Sequence, residues 1–234
     1  MPSLLAIDTS TDACSVALSH EGFVTQRLVV EPRRHNQLLL PMLEEILVPG
    51  KLRELDAIAY GCGPGSFTGL RVACSAVQGL AFAAQRPCIG VSTLAALAQG
   101  AIRDGLAAEG QCVLGLLDAR IGEVYAGIYR VMSGRAEEIH GPRVAVPDIL
   151  SFENAAENVV AVGDGASFVE AMPAALRKRV LAVHADRLPE ARDVLELATH
   201  ALERGQTQSP AEVAPVYVRD EINWKKLSEQ GPSR

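Results

Sequence analysis

The sequence predicts an α/β protein whose mixed sheets are flanked by helices, and three observations predict it. Short apolar strands come first and then alternate with helices, an order that builds a sheet with helices laid on its faces. The stretch from Val72 to Gln85 has no charged side chain and reads as a helix apolar nearly all round, which must be covered on both faces. Leu114-Gly115-Leu116-Leu117-Asp118 repeats the pattern of Leu4-Leu5-Ala6-Ile7-Asp8. Each run ends in Asp and leads into a second strand, Glu123 to Tyr129 under Ala13 to Ser19, as a duplicated unit would.

The elements follow in order. Leu4 to Ile7 is an apolar run stopped by Asp8-Thr9-Ser10-Thr11-Asp12, and Ala13 to Ser19 and Phe23 to Val30 are strands around a Glu21-Gly22 turn, giving an antiparallel meander. Between His35 and Leu47, the residues Leu38, Leu39, Met42, Leu43, Ile46 and Leu47 recur at helical spacing, with Pro41 inside as a place to kink or restart. Leu55 to Tyr60 reads as a buried strand running into the loop Gly61-Cys62-Gly63-Pro64-Gly65-Ser66-Phe67-Thr68-Gly69, and the apolar helix comes next. Cys88 to Val91 gives another strand and Thr93 to Ala101 another helix.

The polar, glycine-bearing residues 103 to 111 mark a boundary, so the expected units are residues 1–103, residues 104–218 and a C-terminal tail, 219–234. The second half is patterned more thinly. It offers a strand near Val159 to Val162, the turn Gly163-Asp164-Gly165, a helix near Ala191 to Arg204 and an extended piece, Val213 to Val218. The tail carries the only tryptophan, Trp224, beside Lys225 and Lys226. That end can dock back on a lobe, touch nucleotide or RNA, or stand in solvent anchored by one indole.

Composition excludes several classes. The 234 residues are 48% apolar and 21% charged, ample for a buried core and unlike a disordered or collagen-like chain. Lys+Arg 22 against Asp+Glu 28 leaves a formal charge of −6 with no basic run, so strong nucleic-acid binding by this chain alone is not expected. Aromatics at 4% supply a poor base-stacking platform. Cys14, Cys62, Cys74, Cys88 and Cys112 are scattered without C-x-x-C spacing and read as reduced core residues, which places the protein in the cytoplasm. The first residues lack a signal peptide's basic start, and no run reaches the roughly 18 uninterrupted apolar residues of a membrane helix, so no membrane association is expected.

Three features could carry function. Asp8-Thr9-Ser10 stands at the carboxyl end of the first strand, where backbone amides and hydroxyls can cradle a phosphate and Asp8 can hold a metal-bound water; the same residues can equally satisfy their own turn. The glycine loop, with Gly63 and Gly65, can wrap a phosphate or a partner's backbone at a helix N-terminus, or form a tight connection. It lacks both Walker A and G-x-G-x-x-G spacing. The apolar helix has a second face that a partner's helices can cover. The five histidines have no metal-ligand spacing and no G-x-S-x-G elbow occurs, so chemistry of the chain's own is poorly supplied.

A family resemblance adds to this reading. The motifs that carry it are Leu5-Ala6-Ile7-Asp8-Thr9-Ser10-Thr11 with Cys14-Ser15-Val16-Ala17, His35 opening the first helix, Gly63-Pro64-Gly65-Ser66-Phe67-Thr68-Gly69-Leu70-Arg71, and Ile89-Gly90-Val91-Ser92-Thr93-Leu94. Asp118-Ala119-Arg120 with Gly122-Glu123-Val124-Tyr125, and Pro215-Val216-Tyr217-Val218-Arg219 with Trp224-Lys225-Lys226-Leu227, complete the set. Together they closely resemble the bacterial TsaB (YeaZ) family across nearly the whole chain. The resemblance implies an actin-like, sugar-kinase-type ATPase fold of two related lobes, and a part in making threonylcarbamoyladenosine at adenosine 37 of tRNA. Implied partners are the catalytic relative TsaD and the small ATPase subunit TsaE, with tRNA held only indirectly and a homodimer through the same surface when TsaD is absent.

TsaD binds a metal through an H-x-x-x-H pair after the strand that follows its glycine loop. Thr93 and Leu97 stand in those places here, and neither replaces imidazole. The implied role is a non-catalytic scaffold with no metal and no cofactor of its own, pairing through the two helices that flank the glycine loop. Spacing assigns the pairing face to Leu39, Met42 and Ile46 on the first helix and Leu70, Cys74, Gln78 and Phe82 on the second. The alternative is an ATP-binding or ATP-hydrolysing enzyme using Asp8, Thr9, Ser10, Gly63 and Gly65, with ATP or ADP in the cleft or at the partner interface. Peptidase chemistry is the weaker alternative, having no base, metal pair or nucleophile elbow.

Overall fold

The computed structural model describes residues 2–47, 51–152 and 158–218. Two five-stranded mixed sheets share one strand order. In the first, β1 (Leu4–Asp8), β2 (Ala13–His20), β3 (Phe23–Val30), β4 (Ala57–Gly63) and β5 (Cys88–Ser92) lie in the order β3-β2-β1-β4-β5. In the second, β6 (Cys112–Arg120), β7 (Glu123–Met132), β8 (Arg135–Ala145), β9 (Val159–Val162) and β10 (Val180–His184) lie in the order β8-β7-β6-β9-β10. Each sheet has an antiparallel meander on one side and parallel strands on the other. The central strands β1 and β6 are therefore equivalent, which is the repeat that the two apolar runs ending in Asp8 and Asp118 foreshadow.

The helices are α1 (His35–Ile46), α2 (Phe67–Ala84), α3 (Thr93–Arg103), the single turn α4 (Ala174–Arg177) and α5 (Ala191–Glu203). Pro41 is tolerated inside α1 because it lies on the exposed side, where the backbone bond it forfeits faces solvent. α2 begins five residues before its uncharged stretch, since Ser66 caps it by accepting from the Gly69 N–H, and it ends at Gln85 in the left-handed conformation (φ 55°). By length and composition α2 could cross a membrane, although Arg71 interrupts its apolar run. In the fold its inner side, Ala73, Val77 and Ala81, is packed into the core on β4.

α3 is buried between the sheets. Leu94, Leu97, Ala98 and Ala101 pack with Val113, Tyr129 and Val160 of the second lobe, while Ala96 joins the first-lobe core with Ala6 and Ala59. The expected unit 104–218 does not hold together. Only the strands from β6 to β10 and their connections form the second sheet's body. α5 lays Ala191, Val194, Leu195 and Ala198 on the first sheet beside Leu4 and Ala17, and Gln208 bridges to Cys88 on β5. A fully covered first sheet needs that helix, because α1 and α2 shield the other side. The extended piece Val213 to Val218 forms no strand, and the tail 219–234 with Trp224, Lys225 and Lys226 lies outside the described residues.

Candidate functional site

The glycine loop is seated directly on the β1–β2 turn. The Ser66 N–H donates to the Ser10 carbonyl at 2.7 Å, and Thr9 Oγ1 donates to the Gly69 carbonyl at 2.7 Å. A Cβ on Gly65 would stand 2.3 Å from the Ser10 carbonyl oxygen, and one on Gly61 would stand 1.9 Å from Asp8 Oδ2. These glycines serve close packing of one chain segment on another.

Asp8 is fully buried. Its Oδ1 accepts from the Ser10 N–H at 3.0 Å and from Ser10 Oγ at 2.7 Å, while Oδ2 has no partner among the described residues. Burial pushes its carboxyl up to about 6, against the opposing pull of the two Ser10 bonds.

A cavity of about 1040 Å³ opens between the lobes, walled by Ser10, Gly65 and Ser66 on one side and by Asp118, Arg120, Tyr125 and Asp164 on the other. Asp8 and Thr9 do not reach it, being 0% exposed, and Gly63 (φ 126°) is turned toward the Val216 carbonyl. Of the five candidate nucleotide residues, only Ser10 and Gly65 line the cleft. The glycine loop covers Asp8 and Thr9, whereas Ser10, Thr11 and Asp12 of the β1–β2 turn stay open to the cleft. Across the cleft the Asp118 N–H donates to Asp164 Oδ1 at 2.9 Å, and burial raises the Asp164 carboxyl above its ordinary value.

The positions corresponding to a metal pair do not fit a metal. Thr93 and Leu97 are 0% and 1% exposed inside the packed layer around α3, and among the described residues no group of His, Cys, Asp or Glu side chains is arranged to hold a metal ion.

The proposed pairing face is corrected in most of its members. Leu39, Met42, Ile46 and Cys74 are buried against the first sheet with Leu5 and Ile7, and Leu70 is also buried. Helical spacing identifies an apolar stripe but cannot say that it faces inward, and here the core needs that stripe. Gln78 is half-buried and donates from Nε2 to the Val213 carbonyl at 3.0 Å. Phe82 alone of the seven stands out, 80% exposed.

The outward face is built from other residues. Leu40 is 62% exposed and Phe67 53%, on either side of a groove of about 520 Å³ between α1 and α2 that Arg71, Val72, Ser75 and Ala76 also line. Phe67 stacks on Tyr217 with ring centroids 5.4 Å apart, and the Arg71 guanidinium lies 3.6 Å from the Phe67 centroid while its Nε donates to the Tyr217 hydroxyl at 3.0 Å. Leu40 could have been found from the pattern, as an apolar residue adjoining a stripe already complete without it. Tyr217 could not, because 146 positions separate it from Arg71.

The family described as "TsaD: tRNA N6-adenosine threonylcarbamoyltransferase" matches residues 29–226. The tRNA threonylcarbamoyladenosine biosynthesis protein TsaB of Escherichia coli (strain K12) is 40% identical over 231 residues, 96% of this chain and 97% of that protein. Its counterpart in Haemophilus influenzae is 38% identical over 236 residues, again 96% and 97%. The solved structure of YeaZ from Pseudomonas aeruginosa superposes with a TM-score of 0.85 at 43% identity, covering 93% of this chain and all of that one.

Proposed function

Because the chain belongs to the TsaB (YeaZ) family of tRNA threonylcarbamoyladenosine biosynthesis proteins, we propose that it is a non-catalytic scaffold that pairs with TsaD through the outward face of α1 and α2. Its two sheets of equal order are the lobes of the actin-like fold. The observation that carries the pairing is Gly79, in the middle of α2. A Cβ there would meet nothing within 4 Å among the described residues, whose packing therefore does not call for a residue that weakens a helix by about 1 kcal/mol. A neighbouring helix that must approach closely does call for it, and the exposed Leu40, Phe67 and Phe82 give such a helix apolar surface to cover.

Burying that face favours whichever TsaD conformation presents the complementary surface, which is how a subunit without catalytic groups activates its partner. TsaE joins the complex, the net charge of −6 leaves tRNA to be held chiefly by the other subunits, and the same face closes a homodimer when TsaD is absent. ATP or ADP, where the assembly holds it, belongs at the partner interface or cleft mouth. The working place is the cytoplasm. The rival enzyme reading needs a phosphate cradle at Asp8, and the seated glycine loop counts against it.

Size-exclusion chromatography with light scattering on this chain, on TsaD and on their mixture tests the reading. A new heterodimer peak is expected. If both proteins elute unchanged well above micromolar concentration, pairing is not the function.

A further inference from the structure

The chain crosses between the lobes twice, outward after α3 and back between β10 and α5, and one ion network ties both crossings. Arg103, the last residue of α3, donates through one guanidinium nitrogen to both oxygens of Asp193 at 2.8 and 2.7 Å, through the other to Glu190 at 3.0 Å, and through Nε to Asp104 at 3.0 Å. The second oxygen of Asp104, on the outward crossing, accepts from Arg187, on the return crossing, at 3.2 Å. Glu190 also accepts from Gln26 on β3 at 2.7 Å and from Arg192 at 3.0 Å. Arg187 also pairs with its neighbour Asp186 at 3.7 Å, so three arginines meet four carboxylates.

The position of Gly100 shows how tightly the network is built. A Cβ there would lie 3.0 Å from Asp193 Oδ2, so a helix-weakening residue inside α3 makes room for a carboxylate that is 1% exposed. A buried pair of this kind contributes little net stability over apolar side chains, but breaking it leaves Asp193 buried without its two Arg103 bonds. α3 adds to the constraint by packing on both lobes.

We propose that the Arg103 network is an interlobe lock, holding both crossings together so that the lobes keep one angle and the cleft one aperture. The protein then acts as a rigid body and does not hinge. This inference stands apart from the pairing with TsaD.

Hydrogen exchange and small-angle scattering on the full chain test it, using Arg187→Gln, which at a half-exposed residue removes the link to Asp104 together with the longer pairing to Asp186, and Arg103→Met, which removes the hub. In the wild type, residues 104–111 and 185–190 should exchange as slowly as α3. In Arg187→Gln both segments should speed up together, by up to about fivefold, while α1 is unchanged. Arg103→Met should speed them at least about tenfold and enlarge the radius of gyration. Should Arg103→Met not fold, Arg187→Gln decides alone. Crossings that already exchange as fast as hairpin tips in the wild type, or that respond separately or not at all to Arg187→Gln, would overturn the lock.

Discussion

Thr9 and Gly69 hold the glycine loop against the first sheet from both directions. Thr9 Oγ1 donates to the Gly69 carbonyl at 2.7 Å, and the Thr9 carbonyl oxygen lies 1.9 Å from where a Cβ on Gly69 would be. Ten residues along the same helix, Gly79 has open space. Alanine should therefore act oppositely at the two sites. Gly69→Ala must push backbone away and should destabilise by about 3 kcal/mol, whereas Gly79→Ala should stabilise the isolated chain by about 0.5–1 kcal/mol. Urea unfolding measures both. A stabilising Gly69→Ala would show that the loop can lift off the turn.

Substitutions on the two sides of α2 should separate folding from pairing. Phe82 is 80% exposed, so Phe82→Glu should leave the melting temperature within about 2 °C and weaken association with TsaD at least about tenfold. Cys74 is core, so Cys74→Arg should abolish folding itself through a buried unpaired charge. Melting curves and titration by sedimentation velocity read the two effects. Wild-type pairing by Phe82→Glu would remove the far end of α2 from the interface.

Much of this fold is legible because a buried strand ending in a polar turn is a local pattern. β1, β4, β5, β6, β9 and the helices α1, α2, α3 and α5 all announce themselves through apolar spacing. β8 does not, since Arg135-Ala136-Glu137-Glu138 has no strand pattern of its own and pairs because β7 offers a hairpin edge after the Ser133-Gly134 turn. The return of α5 to the first sheet is also illegible, because sequence order argues for the second lobe and only burial shows otherwise. The site follows the same rule. Ser10 and Gly65 meet as adjacent loops would, but the inward turn of Leu39 and Met42 depends on which layer lies beneath the helix.

One hydroxyl makes three of the bonds that hold the C-terminal strap. Buried Tyr60 donates to the Ala214 carbonyl at 3.2 Å and accepts from Gln208 Nε2 at 2.7 Å and the Ala214 N–H at 3.2 Å, while burial raises the phenol above its ordinary range. Tyr60→Phe keeps the ring and strands these partners, so it should cost about 1–3 kcal/mol. The loss should appear as faster hydrogen exchange confined to residues 207–218, where the Val216 N–H to Cys62 bond is exposed by the same opening. Uniformly faster exchange through β1 and β4 as well would instead mean that the ring position, not the strap, was disturbed.

Asp8 makes stability depend on pH in a predictable direction. Its carboxyl is raised by burial from 3.8 to about 6, so the unfolded chain loses this proton first as pH rises. The stabilisation is complete below about 3.8, declines from there and is gone once pH has passed about 6, an effect of about 3 kcal/mol. Asp8→Asn removes the ionisation while its carbonyl oxygen can keep both Ser10 bonds, and its amide replaces the partnerless Oδ2 facing Gly61. At pH 4 the variant should therefore melt no more than about 2 °C above wild type, since both folded side chains are neutral there. At pH 7.5 the variant should melt higher by about 5 °C, part of the gain being offset by an amide N–H without an acceptor. A melting gap that stays constant from pH 4 to 7.5 would show that the buried charge is not its source.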